Sequence, residues 1–221
     1  MLSALLLFLH NRAEDRRSGE IAGEKLTQLQ AIIELRAAEQ EAEREPTVLP
    51  DPGQQAPNGQ ADPSDDPRWE NPEDWPDTDF DPTEIPSAAE SDLPTVTLSE
   101  IQYVGVISLP ALGIELPVMG PGNYDRLNIG PICQFGSPVT GDMVIAAHNT
   151  NNFFGRIDSL RPGDAVTFTD VNGKVYRYAV DHGELLQVGQ VSEARNNGYP
   201  LGLYTCAYDG TLRFIVLCTR A

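Results

Sequence analysis

The stretch LYTCAYDGTLRFIVLCTR, Leu203–Arg220, decides how the rest of the chain is read. Two runs rich in apolar and β-branched residues flank Asp209-Gly210. An Asp-Gly between such runs signals a two-residue hairpin turn of type I′, whose central residues both need positive φ. A hairpin centred there sets Cys206 opposite Arg213 and Leu201 opposite Cys218. Directly opposed residues point to one face of an antiparallel ladder, and neighbours along a strand alternate faces. The register therefore predicts a thiol beside a guanidinium. A fixed positive charge favours thiolate and can hold a carbonyl or a developing oxyanion. Cys218 falls on the other face and reads as a small core hydrophobe, not as a disulfide partner of Cys206.

Upstream the same texture continues. Tyr103–Leu109, Ile114–Met119, Met143–Ala147, Ala165–Thr169 and Val175–Val180 are short apolar runs broken by Gly, Pro, Asn and Asp. With Gly202–Cys206 and Leu212–Cys218 they predict a mostly β domain, a barrel or sandwich, over residues 96–221. A segment of that length can bury a core without disulfides or metals. Three Cys make no scaffold, and their spacing is not that of a structural zinc site. No cofactor or metal is expected. Cys133, in a Gly- and Pro-rich stretch, reads as buried packing.

His10 belongs to the N-terminal flank and His182 to a polar loop, Asp181-His182-Gly183. His148 follows the run Met143–Ala147 and opens into Asn149-Thr150-Asn151-Asn152. A strand end entering a polar loop is a common place for active-site residues, although a lone His is more often structural. A Cys, a His and an Arg at the ends of β runs, with no metal partner, suggest nucleophilic catalysis by a Cys–His pair.

The 221 residues carry 33 acids and 15 bases, a formal charge of −18. Such a balance excludes nucleic acid as a natural partner. The acidity is local. Residues 51–100 hold fourteen acids against one base, whereas residues 101–221 hold ten against eight. Between Pro46 and Pro94 lie eleven of the eighteen prolines. Proline removes backbone donors and the acids repel one another, so residues 46–95 are expected to be a disordered linker. Trp69, Trp75 and Phe80 within it read as incidental contacts, or as a segment that lies in a groove. Residues 19–45 are expected to be a solvated spacer helix with an apolar stripe at Ile21, Leu26, Leu29, Ile33 and Leu35, stopped by Pro46. Met1–Leu9 is nearly all apolar, with Arg12, Arg16 and Arg17 after it. Nine apolar residues are short of the ~20 that span a bilayer. Residues 1–18 read as the remnant of a membrane anchor with its basic flank, or as a short interfacial anchor.

Three ordered segments, GVISLPALGIELPV (105–118), IAAHNTNNFFGRIDSLRPGDAVTF (145–168) and LYTCAYDGTLRFIVLCTR (203–220), together resemble the sortases, membrane-anchored cysteine transpeptidases of Gram-positive bacteria. The resemblance spans about Leu98–Arg220. The His-Asn pair, the Phe-Gly and Gly-Asp after it, and the helix ahead of the barrel are most similar to class B and clostridial class B-like members. It implies a closed eight-stranded barrel with short helical inserts. It implies Cys206 as the nucleophile that forms a thioester with a C-terminal sorting signal, and His148 as general acid and base. Arg213 would position substrate and stabilise the oxyanion. Asn123, Thr205 and Asn149 would support the site or contact substrate. The implied partners are surface proteins bearing a sorting signal and an amine of a peptidoglycan cross-bridge or pilin. The implied place is the outer face of the cell membrane. Gly202 stands where the family usually has Thr, and Ala147 where it often has Gly. The competing expectations are a catalytically silent barrel that binds cell-wall peptides, and an L,D-transpeptidase, whose His-Gly-containing Cys motif is absent.

Overall fold

Nine strands form, seven of them where the apolar runs fall, in a computed structural model that describes residues 2–42, 93–121, 124–187, 190, 195, 197–207 and 210–221. They are β1 (Val96–Leu98), β2 (Ile101–Leu109), β3 (Ile114–Met119), β4 (Ile132–Phe135), β5 (Met143–Ala146), β6 (Ala165–Asp170), β7 (Val175–Gln187), β8 (Leu201–Ala207) and β9 (Leu212–Arg220). Their order is β1-β2-β3-β4-β5-β8-β9-β7-β6, and β6 returns to pair with β2. Eight strands, β2 to β9, therefore close a barrel, and β1 is a short addition on the edge of β2. Closure removes the free edges that an open sheet would leave.

The closing seam needs a glycine. Gly105 pairs with Asp170 across β2 and β6. A Cβ there would stand 2.3 Å from the Thr169 carbonyl oxygen and 2.7 Å from the Phe168 ring. The strands alternate as period-two patterning requires. Ile107, Ile145, Val166, Tyr178, Leu203 and Val216 fill the lumen. Val106, Val144, Tyr204, Ile215 and Leu217 form a second apolar layer outside it.

The hairpin register is as expected, with Cys206 opposite Arg213 and Leu201 opposite Cys218. Other elements differ from the sequence reading. Cys133 is buried as predicted, but inside a strand, β4, that its Gly and Pro neighbours concealed. β7 continues to Gln187, so His182 sits in a strand and not in a loop. A register shift between Val180 and His182 inserts Asp181 as an extra residue, and the exposed polar face beyond it hid the strand. There His182 Nδ1 lies 2.7 Å from Asp181 Oδ2, and its ring meets Tyr199 edge-on.

One helix, α1, runs Leu2–Ala42, through both the apolar start and the expected spacer. It is not a solvated spacer. Leu29 is fully buried and Ala22 nearly so, and Arg36 Nη1 donates to the Val171 carbonyl at 3.3 Å and to Asn172 Oδ1 at 3.0 Å. Lys25 Nζ reaches Ser99 Oγ at 3.0 Å. The docked stripe is Ala22, Leu26, Leu29, Ile33 and Arg36, while Leu35 remains 61% exposed. Among the described residues no helix is long and apolar enough to cross a membrane. The expected linker with Trp69, Trp75 and Phe80 lies outside the described residues, as does Asn123.

Candidate active site

Parallel and antiparallel pairing combine to align the candidate residues. β5 runs parallel to β8, with Val144 opposite Gly202 and Ala146 opposite Tyr204. Beyond the last pair, Ala147 N donates to the Tyr204 carbonyl at 3.2 Å, and Thr205 Oγ1 donates to the Ala147 carbonyl at 2.8 Å. His148 follows as the next residue, where the chain leaves the strand. β9 lies on the other side of β8 and sets Arg213 opposite Cys206. Cys206 and Arg213 thus share one face of the β8–β9 ladder, and His148 lies two residues past the end of the strand that runs parallel to β8.

The loop after His148 is folded back on it. The His148 carbonyl accepts from Thr150 N at 2.9 Å and from Phe154 N at 3.1 Å. Phe153 and Phe154 are buried and pin the loop to the barrel. Gly155 N closes the turn on the Thr150 carbonyl at 2.8 Å, at a point where a Cβ would stand 2.6 Å from that same oxygen. His148 Nε2–H donates to Asn128 Oδ1 at 3.0 Å. Burial holds the imidazole below its ordinary value of 6.5, so it is neutral at pH 7. A neutral imidazole carries one N–H, which leaves Nδ1 as the basic nitrogen.

All three thiols are free, and only Cys206 among them is not buried. Burial pushes the Cys133 thiol up to about 12, with Asp142 adding to it, and does the same to Cys218, with Asp181 adding. Neither buried thiol is a competent nucleophile. Arg213 is nearly buried, and its Nη1 donates to the Gly210 and Leu212 carbonyls, both at 3.0 Å. The guanidinium is therefore held against its own hairpin. Gly210 takes φ 87°, as the expected turn requires. Thr205 is buried, and its hydroxyl is engaged in tying β8 to β5. Asn149 is exposed and lines a cavity of about 390 Å³ that also touches Thr205, Cys206 and Asp158.

Asn128, the partner of His148, is a candidate residue that the sequence reading missed. It ends a short helical turn, Tyr124–Asn128. Nothing in NYDRLN distinguishes Asn128 from Asn123 as the partner of a histidine twenty residues away; only the chain path does. Among the described residues no group of His, Cys, Asp or Glu is arranged to hold a metal ion.

A family model described as "Sortase domain" matches residues 107–221. A curated protein named "Sortase A" from Bacillus anthracis is 31% identical over 109 residues, covering 44% of this chain and 51% of its own length. The chain thus spans about half the length of that relative. Among solved structures, sortase A from Corynebacterium diphtheriae, a lid mutant, superposes with a TM-score of 0.50 at 23% identity, over 56% of this chain and 72% of that one. Another structure of sortase A from the same organism gives 0.48 at 22% identity, over 54% and 60%. The first superposition shows a shared fold.

Proposed function

The chain belongs to the sortase family, and from that premise we propose that it is a cysteine transpeptidase with Cys206 as nucleophile. The observation that supports this reading is that Cys206, the accessible thiol of three, stands opposite Arg213 across β8 and β9, with His148 two residues past the strand parallel to β8.

In the proposed reaction, His148 takes the Cys206 proton at Nδ1 as the sulfur attacks the carbonyl at the cleavage point of a sorting signal. The tetrahedral intermediate collapses as the C–N bond breaks. The imidazolium returns the proton to the leaving amine, and a thioester remains. An incoming amine then attacks that thioester, with His148 now accepting its proton. Arg213, fixed opposite Cys206, orients the substrate and stabilises the oxyanion. Asn128 sets the tautomer in which Nδ1 is free. Thr205 keeps the ends of β5 and β8 in register, and Asn149 contacts substrate at the cavity rim. Asn123, the other supporting residue expected from the resemblance, is assigned no contact.

The same proposal takes surface proteins with a C-terminal sorting signal as donors, and a cell-wall or pilin amine as acceptor. It places the enzyme at the outer face of the cell membrane. The class B-like placement within the family is supported by the His148-Asn149 pair and the helix ahead of the barrel, while the curated relative bears the name sortase A.

The test is to incubate the full chain with a library of sorting-signal peptides and an amine, and to read products by mass. Cleavage of a subset of peptides with transfer to the amine is expected, abolished by Cys206→Ala. Peptide binding without any cleavage would identify a silent binding barrel instead.

A further inference from the structure

We propose that α1 is a positioning element of the active site: Gly19 seats the helix against Asn152, and that contact supports the turn that holds His148. The catalytic role of His148 rests on the reading above, whereas the link from α1 to His148 rests on contacts. Gly19, Ala22, Leu26, Leu29, Ile33 and Arg36 recur every three or four residues and so share one helical face. That face lies on the barrel, with Ala22 and Leu29 buried and Arg36 bonded to Val171 and Asn172 at its far end. Toward its start the same face meets the loop after His148. A Cβ on Gly19 would stand 2.9 Å from Asn152 Nδ2 and 3.1 Å from Asn152 Cγ. The two surfaces meet there because position 19 has no side chain.

Asn152 sits inside a turn whose bonds converge on His148. Thr150 N and Phe154 N, on either side of it in sequence, both donate to the His148 carbonyl. Phe153, the next residue, is buried and shares one apolar cluster with Ala22, Ile114 and Leu116. The helix, β3 and the turn therefore make one junction. Gly23, one helical turn beyond Gly19, supplies the contrast. A Cβ there would meet nothing within 4 Å, and the residue lines a cavity of about 260 Å³.

A side chain at position 19 would push Asn152, and with it the backbone that carries His148. The two bonds to the His148 carbonyl would lengthen and the ring would open to water. Burial is what holds the imidazole below 6.5, so its titration reports how closely the turn covers it. The helix acts by support and not by covering the thiol. None of its described residues lines the cavity of about 390 Å³ beside Cys206. Geometry of the catalytic pair and access to Cys206 should therefore respond separately to changes in α1.

The test uses the full chain with Gly19→Leu, and Gly23→Leu as the control. Both substitutions favour the helix, so α1 still forms. The His148 C2–H resonance, assigned by its loss in His148→Gln, is titrated by proton NMR. In the wild type and Gly23→Leu it should titrate below 6.5, and in Gly19→Leu it should move up toward 6.5. With a donor peptide that the chain cleaves, Gly19→Leu should lower kcat roughly ten- to a hundred-fold with KM little changed, the cost of shifting a catalytic group by up to about 1 Å. A small electrophile should still label Cys206 in both variants. Adding Asn152→Ala should return Gly19→Leu toward the wild-type titration and rate. A His148 titration unmoved by Gly19→Leu, an equal shift in Gly23→Leu, loss of Cys206 labelling, or no recovery with Asn152→Ala overturns the inference. Failure of every donor peptide would sink the transpeptidase reading, while the NMR titration would still decide the link from α1 to His148.

Discussion

His148 depends on its neighbours for its position and its charge. Its backbone is pinned by Thr150 and Phe154, its Nε2–H by Asn128, and its charge is suppressed by burial. If neutral His148 is the base for Cys206, protonation switches the site off. Because its pKa lies below 6.5, the acidic limb of kcat/KM is expected below pH 6.5, a position that a pH–rate profile will give. A limb above 6.5 would point to another group. Asn128→Ala removes one hydrogen bond, worth about 1 kcal/mol, so kcat/KM should fall roughly five-fold with the fold intact by circular dichroism. The thiols give a second prediction at this scale. A small electrophile should label Cys206 and leave Cys133 and Cys218 unmodified in the native chain, as peptide mapping would show. The pairing of Cys206 with Arg213 was legible in the sequence because hairpin register is a local feature. The contact of Asn128 with His148 was not, because the chain between them runs through two strands, β4 and β5, and their loops, a path no local pattern encodes.

The elements that carry these residues are strands whose pairings differ in kind. The β8–β9 hairpin follows from a turn dipeptide, and its register could be read by counting. The β5–β8 pairing is parallel and joins residues some sixty apart, so no turn chemistry announces it. That pairing, with the Thr205 hydroxyl on the Ala147 carbonyl, ties the strand ahead of His148 to the strand that carries Cys206. Thr205→Val keeps the shape and loses the bond. It should lower kcat while leaving thiol labelling at Cys206 intact, which separates alignment of the pair from access to the thiol. β4 and the far half of β7 were missed for opposite reasons. β4 is a four-residue strand among Gly and Pro, and β7 turns polar past its bulge. At the β2–β6 seam, Gly105→Ala would drive a methyl into the Thr169 carbonyl, so it should shift the denaturant midpoint sharply or prevent folding.

Across the whole molecule, α1 and the barrel form one packed body. The helical stripe was visible in the sequence, but its partner was not, since an amphipathic face does not say what covers it. Leu29→Ala should destabilise the full chain by about 3 kcal/mol, measured by urea unfolding, because it empties a fully buried site. A solvated helix would show almost no change. Of the net charge of −18, only −2 falls within residues 101–221, which hold ten acids against eight bases. The charge therefore bears little on what the site at Cys206 binds. The most direct test of the account is intact-mass analysis of the full chain with a cleavable sorting-signal peptide, followed by mapping of the acyl adduct. The account predicts a hydroxylamine-sensitive thioester on Cys206, absent from Cys206→Ala. An adduct on Cys133 or Cys218, or acyl transfer that survives Cys206→Ala, would contradict it.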